Sequence, residues 1–336
     1  MSTPQPQRSQ SITGRLVFTL IVLAIAAGIF YYRQPIIDQV NVWAFRPSEE
    51  VQHLATRASL NDKGTYYYYA SRPELLPRNT FNNSCGSAVS EKTAVLGCYV
   101  MQRIYLFDID DKQLDGIKEV TAAHEMLHAA YDRLSARDKA RIDDLLEAEA
   151  QKITDPTFVD LLAEYEKTEP GERFNELHSL IGTQIASVSP ELEAYYKTYF
   201  KDRGQIVSMY KKYESVFANL KTQQEKLATE LEQLSEQIST EVTQYNRDIA
   251  QLNSDVEAFN KRAQNGGFGS QAAFNAERNR LIARQNTLAA TRDGLNVTIS
   301  TFNTKREQLA AINSQAEALN RTINSSLDPL PTINES

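Results

Sequence analysis

The sequence predicts an α+β protein that is mostly α-helical and is built in three parts along the chain. An uncharged apolar run near the N-terminus predicts one transmembrane helix. Two short β-prone runs, followed by a series of capped helical segments, predict a small mixed domain. Beyond residue 205, apolar residues recur every three or four positions on both sides of a glycine-rich stretch, and this predicts a long helical hairpin.

The first element is the apolar run Leu16–Tyr32, which contains no charged residue and has an arginine at either end. At 1.5 Å per residue the run reaches about 25 Å, at the short end of what crosses a bilayer. We therefore expect a transmembrane helix over residues 16–33. Arg8 and Arg15 precede it without any acidic residue, so residues 1–15 are expected in the cytoplasm and the rest of the chain outside it.

A cleaved signal peptide is the alternative for this run, since Ala24-Ile25-Ala26 offers small residues at the spacing of a cleavage site. Apolar sequence continues through Phe30, beyond the point where a signal peptide turns polar, and this favours an anchor. Both interpretations export the remaining chain.

Charge and cysteine content narrow the class of protein. The net charge of −7 and the pI near 5.3 argue against a nucleic-acid partner, which would need clustered Lys and Arg. In an exported domain Cys85 and Cys98 are expected to form a disulfide, with two buried free thiols as the alternative. CxxC spacing is absent, so the cysteines indicate neither a redox pair nor a cysteine zinc site.

Residues 34–204 form the predicted mixed domain. Its β-prone runs are Ala94–Tyr99 and Gln102–Phe107, which are rich in β-branched and aromatic residues. The run Tyr66–Tyr69 is interpreted as strand or packing surface. Helical patterning follows from Leu114 to about Phe200, and capping residues or a proline at the first helical position mark later helix starts at Ser135, Pro156 and Pro190.

Residues 205–325 are predicted to form an antiparallel coiled-coil hairpin with its turn at residues 265–270, followed by a flexible tail over residues 326–336. The apolar seam of the first arm steps by three and four residues through Leu220, Leu227, Leu231, Leu234, Ile238, Val242, Tyr245, Ile249, Leu252, Val256 and Phe259. The seam of the second arm recurs every seven residues, at Phe274, Leu281, Leu288, Leu295, Phe302, Leu309, Ala316 and Ile323.

The segment His124-Glu125-Met126-Leu127-His128 carries the strongest chemical signal. Its two histidines lie one helical turn apart, so two neutral imidazoles can bind one Zn²⁺ in neighbouring tetrahedral positions. Glu125 points beside that position, where its carboxylate can act as general base for a zinc-activated water. Two helix histidines satisfied by neighbouring side chains are the alternative, but the chain holds only four histidines, so a chance HExxH is rare.

TAAHEMLHAAY resembles the active-site helix of the zincin metallopeptidases, and the resemblance implies His124 and His128 as zinc ligands and Glu125 as the base. The three-histidine branch, HExxHxxGxxH, does not fit, because Tyr131 and Leu134 stand where its glycine and third histidine belong. The gluzincin branch takes its third ligand, a glutamate, from a later helix, expected here within residues 171–184.

In that helix Asn175-Glu176 resembles the asparagine-glutamate pair of several gluzincins, which implies Glu176 as the third ligand. Glu172 and His178 stay open as alternatives, because the acidic residue often found four positions after the ligand glutamate is Leu180 here. If Glu176 is the ligand, His178 is a candidate for stabilising the oxyanion. One of Tyr195, Tyr196 and Tyr199 is another, although core packing explains these tyrosines equally simply.

The resemblance also implies that the edge strand before the HExxH helix, expected to be Gln102–Phe107, binds an extended peptide. The sequence as a whole therefore predicts a membrane-anchored, extracytoplasmic zinc endopeptidase that acts on a peptide or protein, with a hairpin that positions it or docks a protein partner. An envelope scaffold with a residual or structural zinc domain is the alternative, and a non-peptidase zinc hydrolase is a third. Glu125 separates the first two, because a non-catalytic metal domain has no use for a base beside its ligands.

Overall fold

The computed structural model describes residues 12–86, 95–168 and 171–325, and over these ranges the chain is mostly α-helical with one small sheet, as predicted. The α-helices are α1 (Ile12–Tyr31), α2 (Arg33–Ala44), α3 (Glu49–Arg57), α4 (Asp62–Ala70), α5 (Arg78–Cys85), α6 (Ile117–Asp132), α7 (Ala136–Ala150), α8 (Pro156–Thr168), α9 (Arg173–Gln184), α10 (Pro190–Tyr196), α11 (Arg203–Gln264) and α12 (Gln271–Ile323). The strands are β1 (Glu74–Leu76), β2 (Gly97–Val100) and β3 (Arg103–Phe107). Ala94, residues 1–11 of the expected N-terminal tail and the expected C-terminal tail 326–336 lie outside the described residues.

The described chain divides into two compact units. One contains the residues up to Ser215 together with those from Arg321 onward, and the other is Val216–Asn320. The sequence placed the first boundary earlier, at residue 205. It lies later because Ile206 and Val207, in the first turns of α11, are buried, and Ile206 belongs to the core of the first unit.

The sheet of the first unit has the order β1-β3-β2. β1 runs parallel to β3, and β2 is antiparallel to β3, with Gly97 opposite Leu106 and Val100 opposite Arg103. Met101 and Gln102 form the connecting turn with positive φ angles of 49° and 61°, so the predicted strand Gln102–Phe107 begins one residue later. Because β3 pairs with both other strands it is the central strand and β2 is an edge strand, so the prediction that Gln102–Phe107 is the edge strand was wrong.

The tyrosine run 66–69 is helical and does not form a strand. It lies in α4, where the Asn61 side chain accepts hydrogen bonds from the backbone N–H groups of Lys63 and Gly64 and so caps the helix. Tyr68 is fully buried, so the alternative prediction, a packing surface, is the one that holds.

The predicted disulfide between Cys85 and Cys98 is present, with a Cα–Cα distance of 6.0 Å. It joins the end of α5 to β2, and both cysteines are buried. The cross-link therefore fixes the edge strand to the body of the first unit.

Helix α6 runs through the centre of this core. Ala122, Ala123, Met126 and Leu127 are fully buried along it. It packs against α9 at close range, because a Cβ on Gly182 of α9 would lie only 2.5 Å from Leu127 Cδ1. The backbones of α6 and α9 are thus near enough for side chains from both to meet.

Helices α1 and α2 meet at a bend of 63°. Pro35 lacks the N–H group that would continue the hydrogen-bonding of α1, so the helix breaks at Tyr32. Across the described residues no single helix combines the length and the apolarity needed to cross a membrane, whereas the bent pair Arg15–Tyr31 and Arg33–Ala44 meets both requirements jointly.

A buried ion pair fixes α2 to α6. Arg133 donates through Nε and Nη2 to the two carboxylate oxygens of Asp38, at 2.9 and 2.8 Å, and the side chains are only 3% and 4% exposed. Its Nη1 also donates to the carbonyl of Ala129 at 2.7 Å. The opposite charges of Arg133 and Asp38 therefore neutralise each other in a buried position.

Asp38→Ala is expected to destabilise the first unit by about 3–5 kcal/mol, because it leaves the Arg133 charge buried without its partner. Hydrogen exchange of the α6 backbone amides, followed by mass spectrometry, measures this unit separately from the second one. Asp108→Ala is the control, since Asp108 pairs with Lys118 at the surface and its loss should cost about 1 kcal/mol or less. If the α6 amides were equally protected from exchange in both variants, the buried Asp38–Arg133 pair would not stabilise the first unit more than a surface ion pair does.

The second unit is formed by the long stretches of α11 and α12 on either side of residues 265–270. Ion pairs join residues of the two helices that lie at similar distances from this turn, which shows that the helices run antiparallel. These pairs are Arg262–Glu277, Asp255–Arg284 and Glu230–Lys305. Phe259, Phe268 and Phe274 pack together beside the turn, with ring centroids 5.1 to 5.2 Å apart. The seam positions named from the sequence are buried or half-buried apart from Val256, which is 37% exposed.

Candidate metal centre

Three side chains with metal-ligand chemistry converge where α6 faces α9. His124 and His128 lie one turn apart on α6, so their rings project from the same face, and their Nε2 atoms are 3.0 Å apart. Glu176 lies in the first turn of α9, where the N-terminal end of a helix favours a carboxylate. Its Oε1 is 3.5 Å from His128 Nε2, and its Oε2 is 3.8 Å from His124 Nε2.

These distances fit a tetrahedral zinc ion. With zinc–ligand bonds of about 2.0–2.1 Å, neighbouring donor atoms of a tetrahedron are about 3.3 Å apart. The two Nε2 atoms are 3.0 Å apart, and the carboxylate of Glu176 approaches His128 through Oε1 at 3.5 Å and His124 through Oε2 at 3.8 Å. Two imidazoles and one carboxylate, with a fourth position left for water or substrate, form a donor set typical of catalytic zinc. The side chains of His124, His128 and Glu176 are 16%, 10% and 7% exposed, so the centre is sheltered but reachable.

A hydrogen bond from the far side of the ring orients His128. Its Nδ1 is 3.0 Å from Asn175 Oδ1, and Asn175 Nδ2 donates to Glu172 Oε2 at 2.9 Å. Because an amide oxygen can only accept, Nδ1 of His128 carries the proton and Nε2 presents its lone pair toward the centre. Asn175 thus orients His128. This is the role expected of an acidic residue four positions after Glu176, where this chain has Leu180.

Asn175→Ala is expected to lower zinc affinity by about 10- to 100-fold, the usual cost of losing the group that orients a ligand histidine. Competition with a chromophoric zinc chelator measures the change. Asn175→Asp retains an acceptor oxygen and should recover most of the affinity. An Asn175→Ala variant that binds zinc as tightly as the parent protein would show that this hydrogen bond does not position the ligand.

The electrostatics of the centre keep the imidazole of His124 in the form that binds metal. Burial lowers the pKa of His124 well below its usual value, and the neighbouring His128 lowers it further. At neutral pH His124 is therefore neutral, as a zinc ligand must be.

Glu125 lies beside the three ligands and is 5% exposed. A Cβ on Gly97 would lie 2.7 Å from Glu125 Oε1 and 2.6 Å from Thr121 Cγ2, so only glycine allows β2 to approach α6 this closely. The carboxylate of Glu125 is consequently held between the HExxH helix and the backbone of the edge strand.

The centre opens into a cleft of about 610 Å³. It is lined by the continuous stretch Val95–Gln102, which contains β2, and also by Leu161, Tyr165 and Tyr213. The strand beside the site is therefore β2, and the expected Gln102–Phe107 lies behind it. The sequence did not indicate that β1 would pair with the other edge of β3 and so make β3 central.

The alternatives for the third ligand lie elsewhere. His178 is fully buried, and its Nε2 is 2.8 Å from Tyr195 Oη, within a cluster that also includes Tyr196 and Tyr199. Burial lowers the pKa of His178 to about 3. Glu172 lines the cleft, but its carboxylate accepts from Asn175. Among the described residues, the group whose ligand atoms all lie within 4.8 Å of one another is His124, His128 and Glu176.

Three tyrosines considered for oxyanion stabilisation pack in the core. Tyr195, Tyr196 and Tyr199 are buried, and Tyr196 donates to the backbone carbonyl of His178 at 2.8 Å. None of them lines the cleft.

Comparison with known proteins finds no relative of this chain: no protein family, no curated protein and no solved structure matches it. The likeness to zincin metallopeptidases therefore depends on the HEMLH helix, on Asn175-Glu176 and on the chemistry of the centre described above.

Proposed function

We propose that this chain is a zinc-dependent metallopeptidase, anchored in a membrane, whose catalytic unit lies outside the cytoplasm and cleaves peptide bonds within a polypeptide. The observation that carries the proposal is the convergence of His124, His128 and Glu176, whose ligand atoms lie within 4.8 Å of one another, in a cleft that Glu125 also lines. Each of these four residues has a role that the others cannot replace.

The chemistry assigns a separate task to each group. When bound, Zn²⁺ lowers the pKa of a coordinated water and polarises the carbonyl of the peptide bond. His124, His128 and Glu176 would hold the metal. Glu125 accepts the proton of the attacking water and then donates it to the nitrogen of the leaving amine.

The edge of β2 supplies a binding surface for an extended substrate. The N–H of Phe107 donates to the carbonyl of Leu96 at 2.8 Å, so residue 96 bonds toward β3. Because antiparallel pairs alternate, the backbone groups of Gly97 and Tyr99 are directed to the opposite, open edge. A peptide that pairs with this edge adds a strand to the sheet, with its backbone beside Glu125.

The charge of the cleft favours cleavage within a chain over removal of C-terminal residues. Among the described residues that line it, none is Lys or Arg, so none of these side chains can hold a terminal carboxylate in an ion pair. This supports an endopeptidase.

One feature supports a location outside the cytoplasm, and another supports anchoring in a membrane. The Cys85–Cys98 disulfide is typical of an oxidising compartment. Helix α1 exposes apolar side chains such as Leu16, Phe18 and Ile29 at 59% to 69%, as a helix in contact with lipid does. We assign the hairpin of the second unit to docking a protein partner or to positioning the peptidase.

The proposal is tested by chelation and reloading of the full-length protein in detergent. A mixture of unstructured peptides is incubated with the native, the chelator-treated and the zinc-reloaded protein, and the products are read by mass spectrometry. We expect cleavage that disappears with the metal and returns with zinc. Cleavage that survives complete removal of metal, or a reloaded protein that cleaves nothing, would refute the proposal.

A further inference from the structure

Helix α2 carries an apolar stripe that faces solvent. Ile36, Val40 and Trp43 follow one another at helical spacing and are 48%, 53% and 69% exposed. The opposite face of α2 is fixed to the fold by the buried Asp38, which pairs with Arg133, and by Asn41, which donates to the carbonyl of Ala70 at 3.1 Å. The stripe is thus held outward by a rigid attachment on the other side of the same helix.

The position of α2 indicates what this stripe contacts. α2 begins at Arg33, two residues after α1 ends at Tyr31, and is bent away from α1 by 63°. When α1 inserts into a bilayer, α2 starts near the bilayer surface, bent away from the direction of α1. An amphipathic helix that lies in this plane buries its apolar face at the boundary of headgroups and acyl chains, and Trp is enriched at this depth.

The charges on α2 agree with a lipid surface. Asp38 is the only acidic residue from residue 33 to residue 46, and its charge is buried and compensated. Arg33 and Arg46 are exposed at the two ends of this stretch. The exposed surface therefore combines apolar and cationic groups, which anionic headgroups attract.

The β2–β3 turn contacts the N-terminal end of α2, on the face that carries Asp38. Gln102 Nε2 donates to the Oε1 of Gln34, in the first turn of α2, at 2.8 Å. The adjacent Met101 is 91% exposed, so a large apolar side chain stands at the tip of the turn. Residues 101 and 102 also line the end of the cleft.

We propose that the stripe of Ile36, Val40 and Trp43, together with Met101, is a membrane-contact surface that binds the bilayer in which α1 is anchored. This surface holds the Met101 end of the cleft at the lipid surface, where the peptidase meets polypeptides that emerge from the membrane. The inference rests on the anchoring part of the proposed function and does not depend on zinc or hydrolysis.

The single tryptophan of the chain, Trp43, provides the measurement. The full-length protein is reconstituted in vesicles of phosphatidylcholine and phosphatidylglycerol, with or without phosphatidylcholine brominated near the top of its acyl chains. We expect a blue-shifted emission that bromolipid quenches about twofold or more and aqueous iodide does not, because an interfacial helix buries its apolar face about 5–10 Å deep. Emission typical of water, quenched by iodide and not by bromolipid, would overturn the proposal.

Variants separate the stripe from other exposed apolar residues. Val40→Asp should make Trp43 accessible to iodide, whereas Val297→Asp, a change of an exposed valine in the second unit, should not. Moving the fluorophore with Trp43→Phe and Met101→Trp tests the turn, and bromolipid should quench this variant too. A turn fluorophore that only iodide quenches would overturn the assignment of the cleft end.

Vesicle flotation distinguishes the ways in which the proposal can fail. A chain that does not float with the vesicles has no anchor, and the inference falls with it. A chain that floats while Trp43 stays exposed to water overturns the surface alone. Trp43 shielded from both quenchers would mean that a protein, such as a second copy of the chain, covers the stripe, and this too would overturn the proposal.

Discussion

Glu125→Gln is expected to abolish peptide hydrolysis and to leave the zinc content unchanged. The amide keeps the size and shape of the carboxylate between α6 and Gly97 but cannot accept a proton from water. The proposed metal ligands His124, His128 and Glu176 are not altered. We expect the rate of hydrolysis to fall by about 10²- to 10⁴-fold, the usual contribution of a positioned general base. Elemental analysis and peptide cleavage, measured on the same preparation, give both quantities.

Glu119→Gln is the matched control for this change. Glu119 lies on the same helix and is as buried as Glu125, but it pairs with Arg57 at 3.0 Å, away from the cleft. Its substitution should leave hydrolysis close to that of the parent protein. If Glu125→Gln hydrolysed peptides at the parent rate, the base would be another residue. A variant that lost its zinc would instead show that Glu125 supports the metal. The scaffold alternative predicts no hydrolysis in any of these proteins.

Glu176→Ala is expected to lower zinc affinity by more than about 100-fold, beyond the effect of losing a group that only orients a ligand. It removes the one donor that α9 contributes and leaves two imidazoles of α6 to hold the ion. Competition with a zinc chelator measures the affinity, and hydrolysis at saturating zinc shows whether the remaining site still works.

Two comparisons decide between the possible third ligands. Glu172→Ala removes only a hydrogen bond to Asn175, so its effect on zinc affinity should be smaller than that of Glu176→Ala. His178→Gln changes a residue bonded to Tyr195 in the core and should reduce stability more than zinc binding. If either variant released zinc while Glu176→Ala retained it, the assignment of the third ligand would be wrong.

The features that the sequence predicted well are local ones. The spacing of apolar residues on either side of residues 265–270 follows from the geometry of a single helix, and α11 and α12 flank that stretch. The HExxH motif has the same character, because residues four apart on one helix must lie together. Ser135 accepts a hydrogen bond from the N–H of Asp138, as a capping residue does.

The features that the sequence did not indicate depend on how separate elements pack. Strand order could not be predicted, because β1 is only three residues long and pairs with β3 across α5 and the disulfide loop. The role of Gly97 depends on the distance between β2 and α6 in the folded core. The choice among Glu172, Glu176 and His178 depends on the rotation of α9, which brings Glu176 toward α6 and directs His178 into the core.

The end of helix α1, before α2 begins, is an intermediate case between local and packing-dependent features. The apolar run predicted one helix over residues 16–33, and Pro35 stands two residues beyond it. A proline at this distance removes a backbone hydrogen bond just where α1 would continue. The proline therefore indicated a break, whereas the orientation of α2 depends on the buried contact between Asp38 and Arg133.

Anomalous diffraction from crystals grown with zinc, recorded above and below the zinc absorption edge, tests the central claim most directly. We predict one strong difference peak at about 2.0–2.1 Å from the Nε2 atoms of His124 and His128 and from a carboxylate oxygen of Glu176. A map with no peak between α6 and α9, or with zinc bound only elsewhere in the chain, would contradict the proposed metallopeptidase.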